Sequence, residues 1–348
     1  MLKRFVLSAV MAAPFVMLSL SFDVANDHPV SSNDSRIAAL AKEVHGKGWV
    51  VYSAQTESGD WDLFLMRPDG SSRRNISQTT SFNEVAARFS PNGRRLLYYR
   101  QPRGSKVDNN GYGTNELVIA DADGSNPVVY GKEYPWASWG PAGEQIACLG
   151  KSSVQIVDLS TRKVIREVDR KGLFEQLFWS PDGKWLSGTA NGLGQYWTIA
   201  RMNAASGELN LVSDPHCYNC TSDWFPDSQR IIYSNGIPCT NEWAQLWMAS
   251  GDGKERSMIY GETGRHIYGG AVSPDGRYVL FTRSQKDLGK VDNSMTTMAL
   301  MRLQDAPIIG GTSEVLRKMY PQARSGPVLD LSVGWEPHWT YAQIREKK

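Results

Sequence analysis

The length, composition and charge of the chain exclude several classes of protein. Its 348 residues are 41% hydrophobic and 21% charged, which is typical of a folded globular protein and excludes a disordered chain. The formal net charge is only +2 and no run of Lys and Arg occurs, so the basic surface that nucleic-acid binding requires is not expected. The 32 Gly, 12 Trp and 14 Tyr favour short strands joined by tight turns, so an all-β fold is predicted.

The beginning of the chain has the pattern of an export signal. Lys3 and Arg4 precede an almost uncharged apolar stretch over residues 5–20. We predict a signal peptide over residues 1–22, with an uncleaved anchor as the alternative, followed by a linker over residues 23–46. No second long apolar segment follows, so no membrane span is expected after signal removal. A periplasmic or secreted bacterial protein is predicted.

A repeat of 40 to 50 residues organises the rest of the chain. Each copy has an apolar or aromatic residue two positions before a proline, and most copies continue with a glycine turn. The first five prolines lie 50, 40, 45 and 48 residues apart, which is the length of one propeller blade. The six copies begin at Arg88, Ser138, Phe178, Asp223, Ala271 and Gly334.

A second motif completes each period. It is a short strand that leads into an Asp-Gly turn, as over residues 62–70 and 116–124, where Gly supplies the positive φ of a tight hairpin. Each period therefore predicts four strands, A to D. A Pro-Asp-Gly turn joins A to B, a variable loop joins B to C, and an Asp-Gly turn joins C to D.

The two ends of the repeat region complement each other. Residues 49–53 resemble a strand B with no strand A before it, and residues 331–339 resemble a strand A with no strand B after it. Pairing them completes a sixth blade and removes the exposed sheet edges. We therefore predict an all-β, six-bladed β-propeller over residues 47–341, closed by a strand A from the C-terminus, with a polar tail over residues 342–348.

These motifs resemble a known family. Phe89-Ser90-Pro91-Asn92-Gly93, and strands such as Asp62–Met66 leading into Pro68-Asp69-Gly70, resemble the TolB-like β-propeller repeat, also described as a WD40-like or PD40 repeat. The resemblance covers about residues 48–340 and implies the fold. TolB carries an additional N-terminal α/β domain, and the predicted linker is too short for one, so a Tol–Pal role is not implied. No Gly-x-Ser-x-Gly nucleophile motif occurs, so the hydrolase domain of propeller peptidases is not expected.

The predicted meander gives the propeller two faces. The A–B and C–D turns form the turn face, which is expected to be structural. The B–C loops and the D-to-A crossovers form the variable face, where function is expected. Lys-Val-Asp-Asn occurs twice on this face and supplies Asp108, Asn109 and Asp292, with Tyr112 nearby. Their oxygens would suit a divalent cation such as calcium, and the alternative is that they cap their own turns.

Three of the four cysteines are expected together on the variable face of the fifth blade. Cys217 and Cys220 lie in the crossover before that blade, and Cys239 lies in its B–C loop. A disulfide from Cys239 to Cys217 or Cys220 is the first expectation in an exported protein. A zinc site formed by His216 with the three thiolates is the alternative. Cys148, in an apolar strand, is predicted to be a buried free thiol.

The crossover before the sixth blade carries a possible catalytic group. Arg265, His266 and Tyr268 suit a polysaccharide lyase, with His266 as base, Tyr268 as acid and Arg265 neutralising a uronate carboxylate. His216 on the neighbouring crossover would join them. The alternative is that His266 and Tyr268 begin strand A and hydrogen bond the channel wall.

The function that we predict is binding without catalysis. A monomer with no cofactor would engage an envelope protein or a polysaccharide through its variable face or central channel, and a lyase of uronate-containing glycans is the alternative. His338 and Trp339 are expected on the opposite face from His266. Six repeat positions are predicted to be inter-blade core: Phe89, Trp139, Trp179, Trp224, Val272 and Trp335.

Overall fold

The computed structural model describes residues 34–107, 115–132, 134–236, 243–287, 291–307, 309–310 and 326–344. Within them, one α-helix and 25 strands occur, and the strands form six antiparallel sheets. In chain order the elements are α1 (Ser35–Val44), β1 (Trp49–Gln55), β2 (Trp61–Met66), β3 (Arg74–Asn75), β4 (Phe82–Phe89), β5 (Arg95–Pro102), β6 (Glu116–Asp121), β7 (Val128–Lys132), β8 (Trp136–Trp139), β9 (Gln145–Leu149), β10 (Ser153–Asp158), β11 (Val164–Asp169), β12 (Leu173–Trp179), β13 (Trp185–Ala190), β14 (Thr198–Asn203), β15 (Leu209–Leu211), β16 (Tyr218–Trp224), β17 (Arg230–Gly236), β18 (Gln245–Ser250), β19 (Arg256–Tyr260), β20 (Ile267–Val272), β21 (Tyr278–Arg283), β22 (Thr297–Arg302), β23 (Ile309–Gly310), β24 (Val328–Val333) and β25 (Trp335–Thr340).

The six sheets are the blades of a propeller, which confirms the predicted fold. Blade 1 is β25-β1-β2-β3, blade 2 is β4 to β7, blade 3 is β8 to β11 and blade 4 is β12 to β15. Blade 5 is β16 to β19 with β23 added at its edge, and blade 6 is β20-β21-β22-β24. The first strand of each blade, strand A, packs against the strands A of its neighbours and surrounds the central channel. No described helix is long and apolar enough to cross a membrane.

The two ends of the propeller close the ring as predicted. Strand β25 pairs antiparallel with β1, placing Thr340 opposite Trp49 and His338 opposite Val51. Trp49 and Trp335 are fully buried between blades. Because strand A of blade 1 comes from the C-terminal part and strands B to D come from the N-terminal part, unravelling either end would open a sheet.

The innermost strand of five blades contains a β-bulge. In each, the pairing shifts register around a residue with positive φ: Ala86, Gln176, Thr221, Gly269 or Glu336. A bulge leaves a backbone N–H without a ladder partner. Three of these N–H groups donate to a side chain of the preceding blade: Ala86 to Ser53 Oγ at 3.0 Å, Thr221 to Gln176 Oε1 at 2.5 Å, and Gly269 to Thr221 Oγ1 at 3.2 Å. The bulges therefore link successive blades around the channel.

Part of the predicted linker is helical. Asp34 accepts a hydrogen bond from the N–H of Arg36 and caps the N-terminus of α1. Leu40 and Val44, four residues apart, are fully buried against blades 1 and 6. Glu43 forms an ion pair with Arg302 at 2.6 Å. The helix therefore belongs to the propeller, and residues 35–44 are not a linker.

Two further expectations about the turn face are corrected. In blade 6, strands C and D are not joined by a short Asp-Gly turn, because β22 ends at Arg302 and β24 begins at Val328. This connection includes β23, which pairs with β19 of blade 5. The predicted polar tail begins with an anchored segment, since Ile344 is buried against blades 1 and 2.

Candidate functional site

The strand register shows which repeat positions are equivalent. In blades 2 to 6, Phe89, Trp139, Trp179, Trp224 and Val272 each lie opposite the second residue of strand B. In blade 1, the residue opposite the second residue of β1 is Trp339. The prediction that Trp335 is the sixth member is therefore wrong, because Trp335 lies four positions earlier, next to the bulge at Glu336. Trp335 is nevertheless buried between blades, as predicted.

The residue before each of these positions contributes to a ring around the channel, which we call the channel ring. These residues lie opposite the third residue of strand B in every blade. The ring, from blade 2 round to blade 1, is Arg88, Ser138, Phe178, Asp223, Ala271 and His338. Unlike the neighbouring aromatic positions, these six differ in size, polarity and charge.

Alternate members of the channel ring hold the next blade. His338 Nδ1 accepts from the N–H of Phe89 at 3.1 Å, and Ser138 Oγ accepts from the N–H of Trp179 at 3.0 Å. Asp223 likewise accepts a backbone hydrogen bond from Val272. Blades 1, 3 and 5 therefore present an acceptor to blades 2, 4 and 6.

A cavity of about 300 Å³ lies between the channel ring and the turn face. All six blades line it. Its outer part is formed by the turns that follow strand A, whose prolines are exposed: Pro91, Pro141, Pro181, Pro226 and Pro274. The short, uniform turns predict a purely structural face, whereas the structure places a cavity with polar side chains there.

Three ionisable side chains face this cavity: Arg88, Asp223 and His338. Arg88 Nη1 donates to the carbonyl of Glu336 at 3.0 Å, and its guanidinium lies 5.4 Å from the ring centre of Phe178 across the channel. Burial raises the pKa of Asp223 to about 6, although Arg88 and backbone N–H donors oppose that change. Burial, assisted by the charge of Arg88, lowers the pKa of His338 to about 3, so the imidazole is neutral.

On the variable face, several predicted ligand residues lie outside the described residues: Asp108, Asn109, Tyr112 and Cys239. Asp292 is described, and its carboxylate accepts from the N–H and hydroxyl of Ser294. Asp292 therefore caps its own turn, which is the predicted alternative to cation binding. Among the described residues, no three His, Cys, Asp or Glu side chains are grouped to hold a metal.

The cysteines on the variable face are placed in part. Cys217 is fully buried, and Cys220 is a free thiol whose pKa burial raises to about 12. His216 is exposed, and its N–H donates to Asp214. Because Cys239 lies outside the described residues, the disulfide and zinc hypotheses stay predictions. Cys148 is confirmed as a buried free thiol.

The three residues of the lyase hypothesis each have partners within the fold. Arg265 donates to the carbonyl of Ser284 at 2.6 Å and pairs with Glu262 at 3.3 Å. His266 Nδ1 accepts from the N–H of Ala244 at 3.0 Å, and burial lowers the pKa of His266.

The Tyr268 hydroxyl donates to Asn293 at 3.0 Å, and burial raises the pKa of Tyr268 well above its usual value. The rings of His266 and Tyr268 are thus hydrogen-bonded within the fold, which is what the alternative to a lyase predicts for them, and Arg265 is ion-paired.

A group of aromatic residues on the variable face was not singled out from the sequence. It comprises Phe174, Tyr196, Trp197 and Tyr218, and we call it the aromatic cluster. Trp197 lies 5.6 Å from Phe174 and 5.7 Å from Tyr218, and Tyr196 lies 4.5 Å from Tyr218, measured between ring centres. Trp197 is 39% exposed and Tyr218 is 44% exposed. The sequence signal was the adjacent pair of aromatic residues in the B–C loop of blade 4.

One buried side chain fixes the two loops that carry this cluster. The amide of Asn219, which is fully buried, donates to the carbonyl oxygens of Trp197, Asp214 and Cys217 at 3.2, 2.9 and 2.8 Å. The Asn219 backbone N–H also donates to Trp197. The B–C loop of blade 4 is thereby tied to the crossover into blade 5, so the exposed rings are held in place before any partner binds.

Solved structures with a similar fold share little sequence with this chain. TolB from Acinetobacter baumannii has a TM-score of 0.60 at 14% identity, covering 85% of this chain and 67% of that one. Hydrazine synthase from Kuenenia stuttgartiensis has a TM-score of 0.53 at 12% identity, covering 82% and 87%. Oligogalacturonate lyase from Vibrio parahaemolyticus has a TM-score of 0.47 at 11% identity, covering 75% and 78%.

No family model matches the sequence, and no curated protein matches it. The structural likeness therefore concerns the fold alone. Six four-stranded blades, closed by pairing between the two ends of the chain, agree with the repeat pattern and with the TolB comparison. In its fold, the chain is a TolB-like six-bladed β-propeller.

Proposed function

We propose that the protein is an exported, non-catalytic binding protein whose aromatic cluster engages a protein partner. The observation that carries this proposal is a group of four aromatic rings, two of them more than a third exposed, on the face where the loops vary. Large aromatic side chains contribute much of the energy at the centres of protein interfaces.

The support beneath the cluster favours this role. Asn219 ties together the loops that carry Trp197 and Tyr218, so little conformational entropy is left to be lost on binding. The backbone of Gln195 also donates to Pro215 across the two loops at 2.8 Å. A surface that is already ordered can bind without first folding its loops.

The ring geometry favours a protein over a polysaccharide. The planes of neighbouring rings are inclined by 45° to 78°, so no two of them form one flat surface. Rings inclined at several angles present both edges and faces, which suit the irregular side chains of a protein surface. His216 and Asp214 beside the cluster supply a polar rim.

Site-specific photocrosslinking in the native host would test the proposal. A benzophenone amino acid at Tyr218 is expected to trap a discrete protein adduct. The same amino acid at Ile165, an aliphatic residue that is 53% exposed on the outer strand of blade 3, serves as the matched control and is expected to trap none. Trp197→Ala should remove the adduct formed from position 218, because it deletes the central ring.

Two outcomes would contradict the proposal. One is an identical set of adducts from positions 218 and 165, which would indicate nonspecific contact. The other is an adduct that persists in the Trp197→Ala variant. If the purified protein instead binds a glycan through Trp197, a polysaccharide partner replaces the protein partner.

A further inference from the structure

The cavity on the turn face is lined by two side chains with donor groups that make no bond within the described part of the fold. His338 Nδ1 accepts from the N–H of Phe89, so the imidazole proton is on Nε2. Within the described part of the chain, the hydrogen bonds of Arg88 involve only Nη1, which donates to the carbonyls of Ala87 and Glu336. Among the described residues, Arg88 Nε, Arg88 Nη2 and His338 Nε2 make no hydrogen bond, and both residues line the cavity.

These donors come from adjacent blades and lie at equivalent ring positions. Arg88 is in blade 2 and His338 in blade 1, and the bond from Phe89 to His338 holds the two strands together. The rigid guanidinium fork suits the two oxygens of a carboxylate. The imidazole cannot change its donor without breaking its bond to Phe89, so Nε2 keeps the proton in a residue that lines the cavity.

The rest of the cavity restricts which anion would fit. Phe178 and Trp224 provide apolar surface, and about 300 Å³ is enough for a small organic group. Asp223 lies in blade 5, across the ring from Arg88, and would oppose an anion with more than one charge. A singly charged carboxylate with an apolar group is therefore favoured over phosphate or sulfate.

We propose that the turn-face cavity is a second binding site, which takes a carboxylate attached to an apolar group and holds it between Arg88 and His338. Such a group occurs in a free aromatic or aliphatic acid and at the C-terminus of a peptide. The site lies on the opposite face of the propeller from the aromatic cluster and does not depend on it.

Nuclear magnetic resonance titration of the full protein tests this proposal. The indole N–H groups of Trp139 and Trp224 donate to the carbonyls of Arg88 and Phe178, so they report directly on the channel ring. Phenylacetate, and an acetylated tripeptide ending in phenylalanine with a free carboxylate, should shift both indole signals saturably. The corresponding amides should bind about tenfold more weakly or worse. Whichever acid binds more tightly identifies the source of the carboxylate.

Variants of two arginines in blade 2 separate the site from general charge. Arg88→Met should remove the preference for acid over amide. Arg94→Met deletes the same charge from an exposed position in the A–B turn of blade 2 and should leave the preference unchanged. If Arg88→Met does not fold, Arg88→Lys retains the charge without the fork and should weaken acid binding by a smaller factor.

Three results would overturn the inference. The first is equal binding of acids and amides by the wild-type protein, a comparison that needs no variant. The second is tighter binding of inorganic phosphate than of either acid. The third is an equal loss of acid binding in Arg88→Met and Arg94→Met.

Discussion

Substituting Glu84 is expected to stabilise the protein at alkaline pH. Glu84 lies in β4 and is only 1% exposed. Its Oε1 accepts from Thr79 at 2.6 Å, while Oε2 is buried near the carboxyl group of Asp62. Among the described residues no donor stabilises an ionised Oε2, and the charge of Asp62 repels it, so this site favours protonated Glu84. Burial is the main cause that raises the pKa of Glu84 to about 7, and the charge of Asp62 adds to it.

The direction and size of the effect follow from proton linkage. The folded protein retains a proton that the unfolded chain, with a Glu pKa of about 4.5, has already released. Stability from this group is complete below about pH 4.5 and is lost as the pH rises through about 7. The difference between those two pKa values corresponds to about 3 kcal/mol, which is lost by pH 8. Glu84→Gln stays neutral and still offers an N–H to Asp62, so it avoids that loss.

Urea unfolding followed by tryptophan fluorescence at pH 5 and pH 8 measures this effect. Glu84→Gln should match the wild type within about 1 kcal/mol at pH 5 and exceed it by about 3 kcal/mol at pH 8. Glu116→Gln is the matched control, because Arg100 and Lys132 lower the pKa of Glu116 and its removal cannot stabilise the protein at pH 8. A Glu84→Gln variant that is less stable than wild type at pH 8, or equally stabilised at both pH values, would refute the reasoning.

Two further predictions concern ring closure and the bonds between blades. Gly48→Ala should destabilise the protein by at least about 2 kcal/mol in urea unfolding, because Gly48 has φ +77° and a Cβ would lie 1.9 Å from a carbonyl oxygen at the end of β25. Gly46→Ala, where a Cβ would meet nothing within 4 Å, should stay near wild type, and equal losses would contradict the role of closure. Ser138→Ala should cost about 1–2 kcal/mol by leaving the N–H of Trp179 without its partner, and an unchanged midpoint would show that this bond is dispensable.

The blade count and ring closure were predictable because they depend on a repeat that every blade carries. A proline turn recurs between strands A and B of blades 2 to 6, and burial of the large apolar residue two positions before the proline keeps the period visible. The sixth copy was misplaced because Trp335-Glu336-Pro337 imitates the repeat. The equivalent residue, Trp339, is followed by Thr340 without a proline, and only the pairing with β1 reveals it.

Other features gave weaker local signals. The positive φ angles at Ala86, Gln176 and Thr221 are set by packing around the channel, since these residue types do not favour that conformation by themselves. Helix α1 was predictable in principle, because Asp34 begins an apolar pattern that includes Leu40 and Val44 at helical spacing.

The aromatic cluster depends on contacts that are distant in sequence. Phe174, Trp197 and Tyr218 lie on three segments of blades 4 and 5, and only the crossover between those blades brings the rings together. A single sequence shows each ring in isolation. Their common exposure and their support by Asn219 become visible only when the fold is known.

The channel ring shows why the most regular repeat positions are not the functional ones. A residue that packs between blades meets nearly the same surroundings six times, so large apolar residues recur there, as at Trp139 and Trp224. The residue just before it faces the channel axis, which all six blades share. The repeat therefore does not require the same residue type at this position in every blade. Bonding the next blade requires an acceptor at alternate positions, whereas Arg88 is a donor and, among the described residues, bonds the backbone through Nη1 alone. An arginine with donor groups left over from its bonds within the fold, beside a neutral histidine whose proton is directed by the fold, is therefore the strongest indication of a ligand at this end of the channel.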